Sequence, residues 1–159
     1  EIEEAAIRIL TIYQPTAVDT RTVATILKSI TYLERIGKYS YNIATATKYL
    51  SDKPMFEPVH LIQPFGEVAV RMVKLVTKAF EEKSADGLDK ISEMDDYLDK
   101  TMREDLIKIV DFINENEQSA DVCTYYISVI KYLERVGDHA CKMAEKVNFM
   151  VTGMRARIE

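Results

Sequence analysis

Four carboxylates set the first chemical question. Asp95 and Asp99 lie four residues apart, as do Glu134 and Asp138. On a helix, side chains at that spacing project side by side, so each pair crowds two like charges. Placed on a helical wheel, Glu134 and Asp138 lie about 60° and 100° to one side of Gly137. They flank the apolar stripe Ile130, Leu133, Gly137, Ala140 and Ala144, and Cys141 and Glu145 share their column. Asp95 and Asp99 stand in the same relation to Leu98, in the stripe Ile91, Met94, Leu98 and Met102. A short turn at Glu117–Gln118 makes these two helices antiparallel neighbours, whose flanks of the same hand face each other. Four carboxylates brought together beside a core call for a cation, or for protons on some of them. All-oxygen ligation suits Mg, Mn, Ca or iron, and no Cys/His set suggests structural zinc. An isolated Glu-x-x-x-Asp is usually a solvated face. The matching of two such motifs on facing flanks is what favours a metal.

The surrounding pattern is a repeat. Tyr32-Leu33-Glu34-Arg35-Ile36-Gly37-Lys38 returns one hundred residues later as Tyr132-Leu133-Glu134-Arg135-Val136-Gly137-Asp138. A fixed period of this kind sets the architecture. Ile7, Leu10 and Ile12 match Ile107, Val110 and Phe112, and Val23, Ile26, Ile30 and Leu33 match Cys123, Tyr126, Ile130 and Leu133. Each unit reads as helix, helix, long helix. Residues 1–52 are the first unit, lacking its first helix and the start of its second, and the start at Glu1 without Met reads as truncated. Residues 53–62, with Pro54 and Pro58, are a linker, residues 63–153 the complete second unit and 154–159 a tail.

The expected helices follow from periodicity and punctuation. The first runs from Ile2 to about Tyr13 with Ile2, Ala5, Ile9 and Ile12 on one face, and Pro15 ends it. Asp19 reads as the N-cap of a helix to about Leu50, whose stripe is Val23, Ile26, Ile30, Leu33, Gly37, Ser40, Ala44 and Thr47. Pro64 opens the next helix, Asp86 caps the one to about Asn116, and Ser119 caps the last, stopped by Gly153. The fold class is therefore all-α. Gly37 and Gly137, on the buried stripe of both copies, point to close helix approach. Arg35 and Arg135 turn away from the acidic column, toward acids on an adjoining helix or apolar surface. His139 reads as a surface residue and Cys141 as a small core filler.

Composition narrows the function. At 159 residues with 47% apolar and 30% charged content the chain is an ordinary globular protein. A net charge of −5 without a Lys/Arg run argues against nucleic acid or anionic membrane as a direct partner. Two cysteines without CxxC spacing fit a reduced, cytosolic protein. The most apolar window, residues 68–80, is broken by Arg71, Lys74 and Lys78 and does not span a membrane. There is no Gly-rich phosphate loop, nucleophile elbow or Ser/His/Asp set, so nothing argues for an enzyme. A ferritin-like carboxylate metalloprotein is disfavoured, because neither His60 nor His139 follows a Glu by three residues. A structural helical interaction module without metal remains the other alternative.

The stretch from Leu133 to Gly153, beginning Leu-Glu-Arg-Val-Gly-Asp-His-Ala, resembles the signature helix of the PhoU family. Residues 33–44 resemble the same helix of its first repeat, and Asp95-Asp-Tyr-Leu-Asp99 is similar to its acidic motif on the middle helix. The resemblance implies two tandem three-helix bundles and a cytoplasmic regulator at the inner face of the plasma membrane. It implies negative control of the phosphate-starvation response, exerted by binding the phosphate ABC transporter ATPase and the phosphate sensor kinase. It implies a homodimer, no nucleic acid, and contact with the membrane only through partners. It also implies a divalent or trivalent metal ion (iron, Mn, Mg or Zn) on Asp95, Asp99, Glu134 and Asp138, with Glu34 from the first repeat. Lys38, where the motif has Asp, weakens the first site.

Overall fold

The computed structural model describes residues 1–53 and 60–158. Its helices are α1 (Ile2–Arg8), α2 (Ala17–Leu50), α3 (Ile62–Glu82), α4 (Asp89–Glu115) and α5 (Ala120–Thr152). A π-helical turn at Ile9–Tyr13 continues α1, and a 3₁₀ turn at Glu117–Ser119 precedes α5. Most of the proposed linker, residues 54–59, lies outside the described residues. No described helix is long and apolar enough to cross a membrane.

α5 is the centre. It packs against α2, α3 and α4, and α3 also packs against α4. A helix with three neighbours must be apolar around most of its girth. Val136, Gly137, Ala140, Cys141, Met143, Ala144, Val147 and Met150 are accordingly all buried, and small residues let the neighbours come close. α3 presents Phe65, Ala69, Met72, Val76 and Ala79, a 4-3-4-3 spacing that is one helical face. α4 presents Ile91, Leu98 and Ile109, with Met94 and Met102 beside them as expected. Asp105 occupies the same face, seven residues after Leu98, and is also buried.

Several boundaries move from the expected positions. α2 begins at Ala17 behind Thr16, so Asp19 sits inside its first turn. α4 begins at Asp89 behind Leu88. Positive φ at Lys83 and Gly87 bends the chain until that point, and Asp86 lies within this bend with its N–H donating to Ser84 Oγ at 3.0 Å. Pro64 is the third residue of α3 rather than the first, where its missing N–H is still tolerated. Ser119 does precede α5, without a side-chain cap bond, and Gly153 ends it at φ 75°. The first helix reaches Tyr13 only through the π-helical turn, and its expected face, Ile2, Ala5, Ile9 and Ile12, is exposed.

Val23 of the expected stripe is buried and Ile26 and Ile30 are half-buried, but from Tyr32 onward α2 packs on α5 through a face one residue away from that stripe. Tyr32, Ile36, Tyr39 and Leu50 meet the core, with Ala46 buried, while Leu33, Gly37, Ser40, Ala44 and Thr47 are exposed. Tyr32 stacks on His139 at 5.9 Å and 23°, and Tyr39 on Tyr132 at 5.9 Å and 26°. An exchange of copies, one hundred residues up or down, turns one pair into the other. α2 and α5 are thus related by a local two-fold axis. Tyr39 and His139, one position in two copies, stack across it at 5.7 Å.

Candidate metal centre

The α4–α5 seam brings together the four acids expected to meet there. Asp95 has its pKa raised, first by burial, then by the charges of Asp138, Asp99 and Asp96. Glu134 is raised likewise, by burial and by Asp138, with Asp99 and Asp95 adding to it. Each carboxylate thus senses acids on both helices, as facing flanks require. Both sit on the margin of the core rather than in it, being half-buried. Gly137 explains how the helices come so close. A Cβ there would lie 2.6 Å from Leu98 Cδ1 and 3.4 Å from Met72 Sδ.

Two arginines temper this charge. Arg135 places Nη1 2.9 Å from Asp138 Oδ2 and Nε 3.5 Å from Glu134 Oε2. It therefore serves the acids of its own helix, contrary to the expectation that it turns away from them. Arg103 holds Asp99 at 3.3 Å from one turn away. Cys141 also joins the site, since its thiol donates a hydrogen bond to Asp95 and so partly offsets the upward push of burial. Its position in the acidic column was the sequence signal for this contact.

Among the described residues, no group of three or more His, Cys, Asp or Glu side chains converges closely enough to hold a metal ion. The donor chemistry suits a hard, oxygen-seeking cation. The side chains as placed do not form a ligand set, and two guanidinium groups lie against three of the four carboxylates. Glu34 is not drawn in. It is exposed on α2, and none of the leading charges on Asp95 or Glu134 comes from it. Lys38 is likewise exposed on α2.

Two residues differ from their reading in the sequence. His139 is not at the surface. Its ring lies between Tyr32 and Tyr39, with both nitrogens buried and without a hydrogen-bond partner among the described residues. Burial, followed by Arg35, lowers its pKa and keeps it neutral. Asp105 is an unforeseen buried acid whose Oδ1 accepts from Lys108 Nζ at 2.9 Å. Its place on the stripe of Leu98 was the available clue.

The comparisons with known proteins agree with this architecture. The PhoU domain matches residues 1–47 and 62–147. A phosphate-specific transport system accessory protein PhoU homolog of Thermotoga maritima is 35% identical over 96% of this chain and 66% of its own length. A homolog of the same name from Clostridium acetobutylicum is 30% identical over 96% of the chain and 70% of its own. The chain thus spans about two thirds of the length of the curated relatives it matches. The crystal structure of PhoU from Pseudomonas aeruginosa superposes with a TM-score of 0.91 at 29% identity, covering 96% of this chain and 73% of that one. A repeated Glu-Arg-x-Gly helix, an acidic middle helix and this match along nearly its whole length establish that the chain belongs to the PhoU family.

Proposed function

We propose that this chain regulates phosphate uptake and phosphate homeostasis, restraining the phosphate-starvation response. In this reading it binds the phosphate ABC transporter ATPase and the phosphate sensor kinase, in the cytoplasm at the inner face of the plasma membrane, as a homodimer. The carrying observation is the 35% identity, across 96% of the chain, to a protein named for accessory service to phosphate-specific transport. The all-helical build supports it, since the long α2 leaves its Leu33–Gly37–Ser40–Ala44 face exposed for a protein partner. The test is a pull-down of the ATPase and the kinase from purified components. Retention of either at low micromolar concentration supports the reading, and binding of neither rejects it. Deletion of the gene, with phosphatase expression followed in high phosphate, tests the negative sign.

The same reading assigns a divalent or trivalent metal ion to Asp95, Asp99, Glu134 and Asp138. Mutual repulsion and half-burial make these acids a cation site in chemical character. Such an ion would supply the positive charge that Arg103 and Arg135 supply here. Glu34 belongs to this assignment only as a member of the first copy. A second reading keeps the helical interaction module without metal, and the two arginine contacts favour it. Metal analysis of the purified protein beside Asp95→Asn/Glu134→Gln separates the two. Metal retained by the parent and lost in the variant supports the first. No metal, and no shift in melting with metal or chelator, supports the second.

A further inference from the structure

The local two-fold axis between α2 and α5 gives the molecule two equivalent ends, and they differ. At one end Tyr49 stacks on Tyr125 at 3.9 Å, and Lys53 covers Tyr49 while pairing with Asp121. The equivalents at the other end, one hundred residues away, are Phe149 and Thr25, with Gly153 and Arg21 in place of Lys53 and Asp121. Thr25 has no ring to stack on Phe149. It is buried, and its hydroxyl donates to the Lys146 carbonyl at 3.1 Å. A groove of about 790 Å³ opens in the space, with Phe149 in its wall. The acid of the filled end, Asp121, has become Arg21, whose guanidinium lies 3.4 Å from the position of a Cβ on Gly153.

The groove is basic in a protein whose net charge is −5. Lys28, Lys146, Arg155 and Arg157 line it, against the single acid Glu145 among the described residues. Its position is fixed by the chain beyond α5, which folds back along that helix. Gly153 reverses direction, Asn148 Nδ2 donates to the Met154 carbonyl at 3.2 Å, and the Ile158 N–H donates to Glu145 Oε1 at 3.4 Å. Glu145 is thereby committed, its other oxygen pairing with Lys146 at 3.3 Å. The acid anchors the tail, and the tail returns two arginines to the groove.

We propose that this groove binds a soluble phosphorylated small molecule of nucleotide size. Cationic side chains suit phosphoryl oxygens, Lys28 and Arg155 foremost since Lys146 already shares its charge with Glu145, and guanidinium groups recognise them in two-pronged fashion. The volume lies within the roughly 300–1,000 Å³ of small-molecule sites, far more than a lone phosphate fills. The Phe149 ring and the adjoining alanines, Ala24 and Ala156, give the remainder of the ligand an apolar wall. This site is separate from the acids of the α4–α5 seam and does not depend on the reading given to them.

The test is isothermal titration of the protein with ATP in excess EDTA, with inorganic phosphate and with anionic phospholipid vesicles as parallel arms. Saturable ATP binding is expected, weakened roughly tenfold or more by Arg155→Gln/Arg157→Gln, as loss of charged hydrogen bonds predicts. Lys28→Glu, a reversal on an exposed position of α2, must weaken it as well without changing the melting temperature. Thr25→Tyr, which restores the ring of the filled end, must abolish it. Absence of ATP binding at millimolar concentration overturns the proposal, as does binding indifferent to Lys28→Glu. Inorganic phosphate binding as tightly as ATP overturns the ligand size, and retention on vesicles alone overturns the soluble ligand.

Discussion

Glu34-Arg35-Ile36-Gly37-Lys38 and Glu134-Arg135-Val136-Gly137-Asp138 are near copies in sequence and opposites in setting. Gly137 is buried against Leu98 and Met72, whereas a Cβ on Gly37 would meet nothing within 4 Å. Glu134 is half-buried among acids and Glu34 is exposed. Arg135 bridges two carboxylates of its own helix, while Arg35 acts on His139 across the α2–α5 seam. The difference lies in what stands opposite. α3 and α4 cover the Leu133–Gly137–Ala140–Ala144 stripe, and the corresponding stripe of α2 is exposed. A motif therefore acquires chemistry from its neighbours, not from its letters.

Core truncation should separate the copies most sharply. Leu98→Ala removes the side chain facing Gly137 and should cost about 2–5 kcal/mol in denaturant unfolding. Leu33→Ala, at a site 42% exposed, should stay within about 0.5 kcal/mol. Equal losses would mean the first stripe is covered in solution. Next come the glycines. Gly137→Ala forces a Cβ to 2.6 Å from Leu98 Cδ1, and overpacking of about 1–3 kcal/mol outweighs the roughly 0.5–1 kcal/mol gained in helix propensity. Gly37→Ala keeps that gain and should raise the melting temperature. In the Leu98→Ala background the Gly137→Ala cost should vanish, a coupling that a double-mutant cycle reads directly.

Protonation offers a gentler contrast. Asp95 and Glu134 bind protons more tightly folded than unfolded, so they add stability at low pH and lose it as pH rises through their raised pKa values. In EDTA, stability should fall across this interval above the ordinary carboxylate range. Asp95→Asn/Glu134→Gln should flatten the slope. The smallest effect belongs to the arginines. Arg135→Gln should cost less than about 1 kcal/mol, as exposed pairs do, and shift the Glu134 titration upward by NMR. Arg35→Gln should leave Glu134 where it is.

The helices and the acidic seam were legible because their signals are periodic and local. Asp95, Asp99, Glu134 and Asp138 share flanks that wheel arithmetic alone can place. Beyond Ile30 the packed face of α2 was not legible, and the reason is physical. That helix carries two 3-4 stripes one residue apart, Tyr32–Ile36–Tyr39–Ile43 and Leu33–Gly37–Ser40–Ala44. On α5 both corresponding stripes are covered, so periodicity could not say which one α2 would use. His139 was misplaced for the same reason, since it belongs to the α5 stripe that corresponds to Tyr32–Ile36–Tyr39–Ile43. The arginine contacts escaped because a long side chain reaches either way along its helix.

The rings between α2 and α5 also make the molecule its own optical gauge. There are nine tyrosines and no tryptophan, and five of those tyrosines lie in stacks that bridge these two helices. Their near-ultraviolet circular dichroism should therefore report the docking of α2, over a background from Tyr126 in the core. A partner or ligand that lifts α2 away would erase that band while the far-ultraviolet helix signal persists, so that separation of the two copies could be watched without any label.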